Sequence, residues 1–324
     1  MSVGTLASPY QQLIGLGPRI AIGPAWGSFY RPWVFSGLVT SLWHRAQYVP
    51  LWSALSAARL RGLDHRARAF GDMVGFAMRW FPPAIWRFDR EVLRIFPDMP
   101  RAQRAVLRRD MGRNMGSTLF EILNSAEFQI RQDRFHVSGP GLAALDAARA
   151  TGKGAIVVSG HFGQWDAVRA VLKARGMETG AVYRPQRNRF YQRGFLAGIK
   201  EGGQPVIATG RAGTMDLVRH LRQGGFMAIL LDEKYQKGIP VPFLGRPALT
   251  STSAATLALK YSLPLVPAYG TRRLDGAAFD VAFEAPIPHT DALTMTAAIN
   301  DSLSARVRER PDQWYWLLRR WEGT

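Results

Sequence analysis

The sequence predicts an α/β fold, a largely parallel central sheet flanked by helices and preceded by a helical N-terminal region. Three observations lead there. From about residue 136, short runs of β-type residues alternate with stretches of helical character, the pattern of strands joined by crossover helices. Before that point, apolar residues recur at helical spacing instead. No internal repeat, low-complexity segment or disordered linker interrupts the chain. The division is therefore residues 1–135, helical, and 136–324, one α/β domain.

The N-terminal region comes close to a membrane span without reaching one. A span needs about 20 mostly apolar residues. LGPRIAIGPAWG is broken by Gly, Pro and Arg19; PWVFSGLVTSLW stops at His44 and Arg45; AQYVPLWSALSAA stops at Arg59. Apolar pieces rich in Trp and Tyr and flanked by Arg fit a membrane-associating, interfacial face, and they equally fit core helices. No secretory leader is expected, since the n-region is uncharged. Between Arg59 and Arg113 arginines outnumber acids about two to one. In the segment from Pro97 to Phe128, Val106, Leu107, Met111, Met115, Leu119, Ile122 and Leu123 mark one helical face, with Asp98 as its expected cap.

The strand candidates that follow are 154–159 (GAIVVS), 179–183, 204–208, 226–231, 263–270 and 278–285. The helix candidates are 164–175, 188–200, 212–223, 251–262 and 291–309.

Composition narrows the function. The chain of 324 residues has 47% hydrophobic residues and no cysteine. Disulfides, thiolate metal sites and cysteine nucleophiles are excluded. Its six His show no metal-binding spacing, so no metal is expected. The net charge of +18 points to a polyanionic partner: an anionic membrane surface, an acidic protein or nucleic acid. The arginines follow no zinc-finger, RNA-recognition or basic-zipper pattern, so no specific nucleic acid is expected.

The chemistry gathers at SGHFGQWD, where an apolar strand meets a helix. On a regular helix His161 and Asp166 would point about 140° apart. They can meet if His161 sits in the strand-to-helix turn and Asp166 in the first helical turn. Gly160 and Gly163 bracket the His and permit a tight turn close to a ligand. An ionised Asp166 near a helix N-terminus is favoured by the dipole and can hold the imidazole in one tautomer, leaving the other nitrogen as a general base. The N–H groups of the turn are then available to an oxyanion. The competing interpretation is a structural His followed by a helix-capping Asp.

HFGQWD, with its H-x4-D spacing, resembles the first motif of the lysophospholipid acyltransferase superfamily. The longer pattern is similar to the bacterial lipid A biosynthesis (lauroyl/myristoyl-type) acyltransferases, a family that also includes the mycobacterial phosphatidylinositol mannoside acyltransferases. Four further stretches agree in order: LRRDMGRNMGSTLFE, YRPQRN (183–188), DEKYQKGIPVPFLGRPALTSTSAATLALK (232–260) and RPDQWYWLLRRW (310–321).

That resemblance implies an O-acyltransferase with His161 as the base on an acceptor hydroxyl and Asp166 as its orienting carboxylate. It places Arg184 and Asn188, in the second block, at the substrate, with Arg184 on a phosphate or head group. Asp232 and Glu233 fall where the family has a further acidic residue beside the site. Phe243, Gly245, Arg246 and Pro247 would shape the site and the acyl path, and Gly163 the turn. Trp314, Trp316, Arg319 and Arg320 fit either a bilayer interface or aromatic core packing. The implied co-substrate is acyl-ACP (acyl-carrier protein) or acyl-CoA, with no cofactor, at the cytoplasmic face of a bacterial inner membrane. The lipid A enzymes usually carry Glu at position 166 and DQD where DEK stands here. These departures favour a lyso-aminolipid or lysophospholipid acceptor. Secondary acylation of lipid A, a catalytically inactive membrane adaptor and a basic nucleic-acid-binding protein are the alternatives.

Overall fold

The computed structural model describes residues 62–185 and 188–321. The expectations for residues 1–61 lie outside them. The described chain opens with four helices: α1 (Leu63–Trp80), α2 (Pro82–Ile95), α3 (Arg101–Leu123) and the short α4 (Ser125–Gln129). Prolines set two of the starts. Pro82 and Pro83 open α2, where a missing N–H costs nothing, and Pro100 precedes α3. Asp98, the expected cap of α3, is not one. The helix begins at Arg101 without a side-chain cap, and Asp98 stands too far upstream to reach the first-turn N–H groups.

Helices α1 and α3 approach closely through glycines on both sides. A Cβ at Gly71 would lie 2.5 Å from Arg113 O, and one at Gly112 would lie 2.7 Å from Met78 Cγ. The close fit packs α1 directly against α3.

The sheet has seven strands: β1 (Phe135–Ser138), β2 (Ala155–Ser159), β3 (Thr179–Tyr183), β4 (Val206–Ala208), β5 (Phe226–Leu230), β8 (Leu265–Arg272) and β9 (Phe279–Phe283). Their order is β1-β9-β8-β2-β5-β3-β4. Only the β8–β9 pair is antiparallel; every other neighbouring pair is parallel. Between the strands run α5 (Gly141–Ala150), α6 (Asp166–Ala174), α7 (Arg189–Gly202), α8 (Arg211–Arg222) and α9 (Ser253–Tyr261), and α10 (Ala292–Glu309) follows the last strand.

Both faces of the sheet are covered. On one, Val157, Phe226, Val266 and Val281 pack with Val168 and Val171 of α6 and with Ala67 and Phe120 of the N-terminal helices. On the other, Ile156, Val158, Met227 and Leu265 pack with Leu221 of α8, Ala255 of α9 and Ile299 of α10. The N-terminal helices thus share a core with the strands. A third cluster joins Phe88 of α2 to Phe243, Trp314, Trp316 and Trp321.

All six strand candidates form, within two residues at either end. The additions are β1, α5 and an antiparallel hairpin, β6 (Ile239–Phe243) with β7 (Arg246–Thr250). The prolines at 240, 242 and 247 disguise the hairpin, because proline inside a run argues against a central strand. They are admitted here because β6 and β7 pair only with each other.

Among the described residues no helix is long and apolar enough to cross a membrane. Nor do three or more His, Asp or Glu gather there as a metal would require.

Candidate active site

Strands β2 and β5 are neighbours, parallel and in register, with Ser159 beside Leu230. His161 and Asp232 each follow two residues later, so they leave the sheet at the same level. His161 Nδ1 lies 2.9 Å from Asp232 Oδ1, and the His161 backbone N–H donates to Asp232 Oδ2 at 2.6 Å. Trp314 Nε1 donates to the same oxygen at 2.8 Å. Gly160 makes the approach possible, since a Cβ there would sit 2.9 Å from Asp232 Oδ2.

The electrostatics follow from this geometry. Burial alone would raise the Asp232 pKa, but the charge and hydrogen bond of His161 and the Trp314 donor outweigh it and leave the carboxylate below its ordinary range. For His161, burial pulls down; the charge and hydrogen bond of Asp232, with Glu233 adding, pull harder and leave the imidazole above its ordinary value, against Arg184. An ionised carboxylate only accepts, so Nδ1 carries the hydrogen and Nε2 is left as the basic nitrogen.

His161 lines a cavity of about 210 Å³ at the carboxyl edge of β2, β5 and β3. Ligands bind at this edge in open α/β sheets. Val157, Val168, Ala181, Phe195 and Ile199 give its wall an apolar character, while Arg184 and Glu233 also line it. The indole of Trp165 meets the His161 ring edge-on at 5.2 Å.

Asp166 does not hold His161. Its Oδ1 accepts from Arg169 Nη1 at 2.7 Å, inside the protein. Arg169 in turn donates to the carbonyls of Thr179, Ile199 and Gly203. The reason is helical spacing: Asp166 and Arg169 are three apart on α6 and share a face, whereas His161 belongs to the turn before it. The pair ties α6 to the start of β3 and to the end of α7. Asp166 still lines the cavity.

The turn's N–H groups are not free for an oxyanion either. Those of His161, Phe162, Gly163 and Gln164 go to Asp232 Oδ2, Gly160 O, Gln313 O and Gly270 O. Gly163 has φ +55°, and a Cβ there would strike Gly270 O, so its role is backbone fit.

A buried network fixes this turn from below. Arg272 of β8 forks onto both oxygens of Glu121 on α3 at 2.7 Å, and also meets Asn114 and Thr118. Gln164 donates to Glu121, and Thr118 to Gly163 O. Residues of the helical region thus hold the loop that carries His161.

The other expected site residues divide. Arg184 and Glu233 meet in an ion pair of 2.7 Å at the cavity, both partly exposed. Asn188 sits at the start of α7, where its side chain accepts from Tyr191 N–H at 3.3 Å. The hairpin residues do not line the cavity. Phe243 is buried against Trp314 and Trp321, and Gly245 forms the hairpin turn at φ +85°. Arg246 donates to Arg94 O of α2, and Pro247 pairs with Pro242 across the hairpin. Trp314, Trp316 and Arg320 are buried, and Arg319 is exposed.

The profile of bacterial lipid A biosynthesis acyltransferase matches residues 65–323. The chain belongs to that family. Among curated proteins it is similar to the phosphatidylinositol mannoside acyltransferase of Mycobacterium tuberculosis, 27% identical over 186 residues, 56% of this chain and 58% of that protein. It is also similar to the lipid A biosynthesis acyltransferase of Haemophilus influenzae, 23% identical over 181 residues, 55% of this chain and 57% of that protein. The match therefore spans somewhat over half the length of these relatives.

Proposed function

We propose that this family member is an O-acyltransferase that moves a fatty acyl chain from a thioester, acyl-ACP or acyl-CoA, to a hydroxyl of a lyso-type membrane lipid. The observation that carries this reading is the His161–Asp232 pair, whose histidine lines a largely apolar cavity. His161 Nε2 takes the proton of the acceptor hydroxyl as the oxygen attacks the thioester carbonyl. The new C–O bond forms, the C–S bond breaks, and the leaving thiolate recovers the proton from the imidazolium. Asp232 keeps Nδ1 protonated and stabilises the imidazolium in between. Arg184, close enough to act on the charge of His161, is the cation for a phosphate or the developing oxyanion once Glu233 releases it. The apolar wall takes the acyl chain. Delivery of lipid acceptor and acidic acyl carrier fits a chain of net charge +18 working at the cytoplasmic face of a bacterial inner membrane.

Comparative lipid mass spectrometry on cells with and without the gene tests the reading. Accumulation of a mono-acylated amino- or phospholipid, not rescued by His161→Ala, is the expected result. Loss of one secondary acyl chain from lipid A would move the acceptor to lipid A. No lipid change would refute the enzyme reading.

A further inference from the structure

We propose that the elbow between α1 and α2, together with the arginines behind it, is a docking surface for an anionic lipid bilayer. The run Arg79-Trp80-Phe81-Pro82-Pro83 is exposed throughout. Trp80 is 69% and Phe81 57% exposed, large values for side chains of this size. The apolar surface continues along both helices. Met73, Phe76 and Trp80 share one face of α1 at spacings of three and four, and Trp86 stands exposed on α2. Aromatic rings grouped at a helix–helix corner and facing outward suit the head-group layer of a bilayer, where an apolar body and polar surroundings are both accommodated.

The charge behind the elbow selects the kind of bilayer. Arg108 Nε donates to Met78 O in the last turn of α1 at 2.9 Å. Arg104 and Arg108 share a single carboxylate, Asp89, at 3.5 and 3.3 Å. Burial comes first in holding Arg108 below its ordinary value; Asp89 opposes it, and Arg104, Arg101 and Arg79 add to it. Two guanidinium groups thus share one acid, and Arg79 and Arg101 are near enough to act on the charge of Arg108. Arg79 and Arg101 are exposed, and their planar forks suit lipid phosphates. On α2 the Arg90 guanidinium lies 4.6 Å from the centre of the Trp86 ring, which places a cation at the aromatic face as well.

The elbow is tied to the candidate active site. Phe88 of α2 packs edge-on to Trp316 at 6.4 Å, and Tyr315, beside it, donates its N–H to His161 O at 3.0 Å. A bilayer that received Trp80 and Phe81 would therefore be held by the helix that packs on the His161 segment. The proposal draws its purpose from the lipid-acceptor reading, but its test does not use turnover, so the two can fail separately.

Flotation of the full chain with vesicles of phosphatidylcholine, alone or with phosphatidylglycerol, is the measurement. The wild-type chain is expected to bind the anionic vesicles more strongly. Trp80→Ser with Phe81→Ser is expected to weaken that binding about tenfold or more. Phe81→Ser also supplies the side-chain cap that α2 lacks, which protects the fold, and a circular-dichroism melt checks it. Arg79→Gln with Arg101→Glu is expected to erase the preference for anionic vesicles. Arg101→Glu puts its carboxylate in the first turn of α3, where the dipole favours it. A wild-type chain that ignores vesicles, an elbow variant that binds as well as wild type, or equal binding to neutral and anionic vesicles would each overturn the proposal. So would loss, in the same variants, of binding to acyl-carrier protein in place of vesicles.

Discussion

His161 and Asp232 are 71 positions apart in the chain, yet Nδ1 and Oδ1 stand 2.9 Å from each other. The register of β2 against β5 brings them together, and Trp314 closes the arrangement from the C-terminal segment. On the proposed mechanism, His161→Ala abolishes turnover with the fold intact. Asp232→Asn keeps the shape but lets the imidazole take the wrong tautomer, and kcat is expected to fall roughly a hundredfold to ten-thousandfold.

The pH profile of kcat/KM separates this from a packing effect. His161 must be unprotonated to act, so activity in the wild-type chain should rise with pH through a value above that of an ordinary histidine. Asp232→Asn removes the attraction that raises it. Burial, joined by Arg184 and opposed only by Glu233, then dominates at the imidazole, and the acid limb should move to lower pH. An unmoved limb would show that Asp232 does not set the proton affinity of His161.

Asp166 is expected to behave differently, although it belongs to the same six-residue motif. Asp166→Ala leaves the Arg169 guanidinium buried without its carboxylate, at a cost of roughly 3–5 kcal/mol. The unfolding midpoint in denaturant should drop accordingly, and Asp166→Ala with Arg169→Met should recover part of the loss. A variant that melts like wild type but has lost turnover would return Asp166 to the chemistry.

These two carboxylates show how far the sequence could be read. The strand-to-helix turn carrying His161 was legible because an apolar run, two glycines and a helical pattern meet there. The partner of the His was not. Asp232 stands visibly at the end of a strand candidate, but which strand lies beside β2 depends on crossovers that no local pattern encodes. Local reasoning therefore chose the nearer carboxylate, and Arg169, three residues further on, was the unread sign that Asp166 was already engaged. The Glu121–Arg272 network escaped for the same reason, as its members are 151 positions apart. The hairpin escaped because its prolines conceal it.

The glycine contact of α1 with α3 predicts a second structural sensitivity. Gly71→Ala places a methyl group 2.5 Å from Arg113 O and closer still to Ser117 Oγ, so the helices must part. Backbone cannot yield as a flexible side chain can, and a loss of about 1–3 kcal/mol is expected in denaturant unfolding. Helix α3 also carries Thr118 and Glu121, which hold the His161 turn. Gly71→Ala should therefore lower kcat as well, whereas Gly152→Ala, where a Cβ meets nothing within 4 Å, should leave kcat alone despite its strained φ of +67°.

Arg320 supplies the last prediction. It is buried, and among the described residues no carboxylate lies within ion-pair distance of it. Its guanidinium donates to Leu249 O, Thr250 Oγ1 and Asn300 Oδ1, and reaches Glu233 O, next to Asp232, at 3.4 Å. Burial brings its pKa down to about 10, with the Asp232 charge opposing, so it remains a cation at neutral pH. A fixed positive charge that feels Asp232 offsets part of the field that this carboxylate exerts on His161. Removing it should leave Asp232 less balanced and raise the affinity of His161 for its proton further. The acid limb of kcat/KM for Arg320→Gln should therefore move to higher pH, opposite to the shift for Asp232→Asn. Arg320→Lys keeps the charge and loses the fork, so its limb should stay near the wild-type position while its thermal midpoint falls. If Arg320→Gln lowers activity without moving the limb, Arg320 acts only by tying the Glu233 carbonyl to the hairpin.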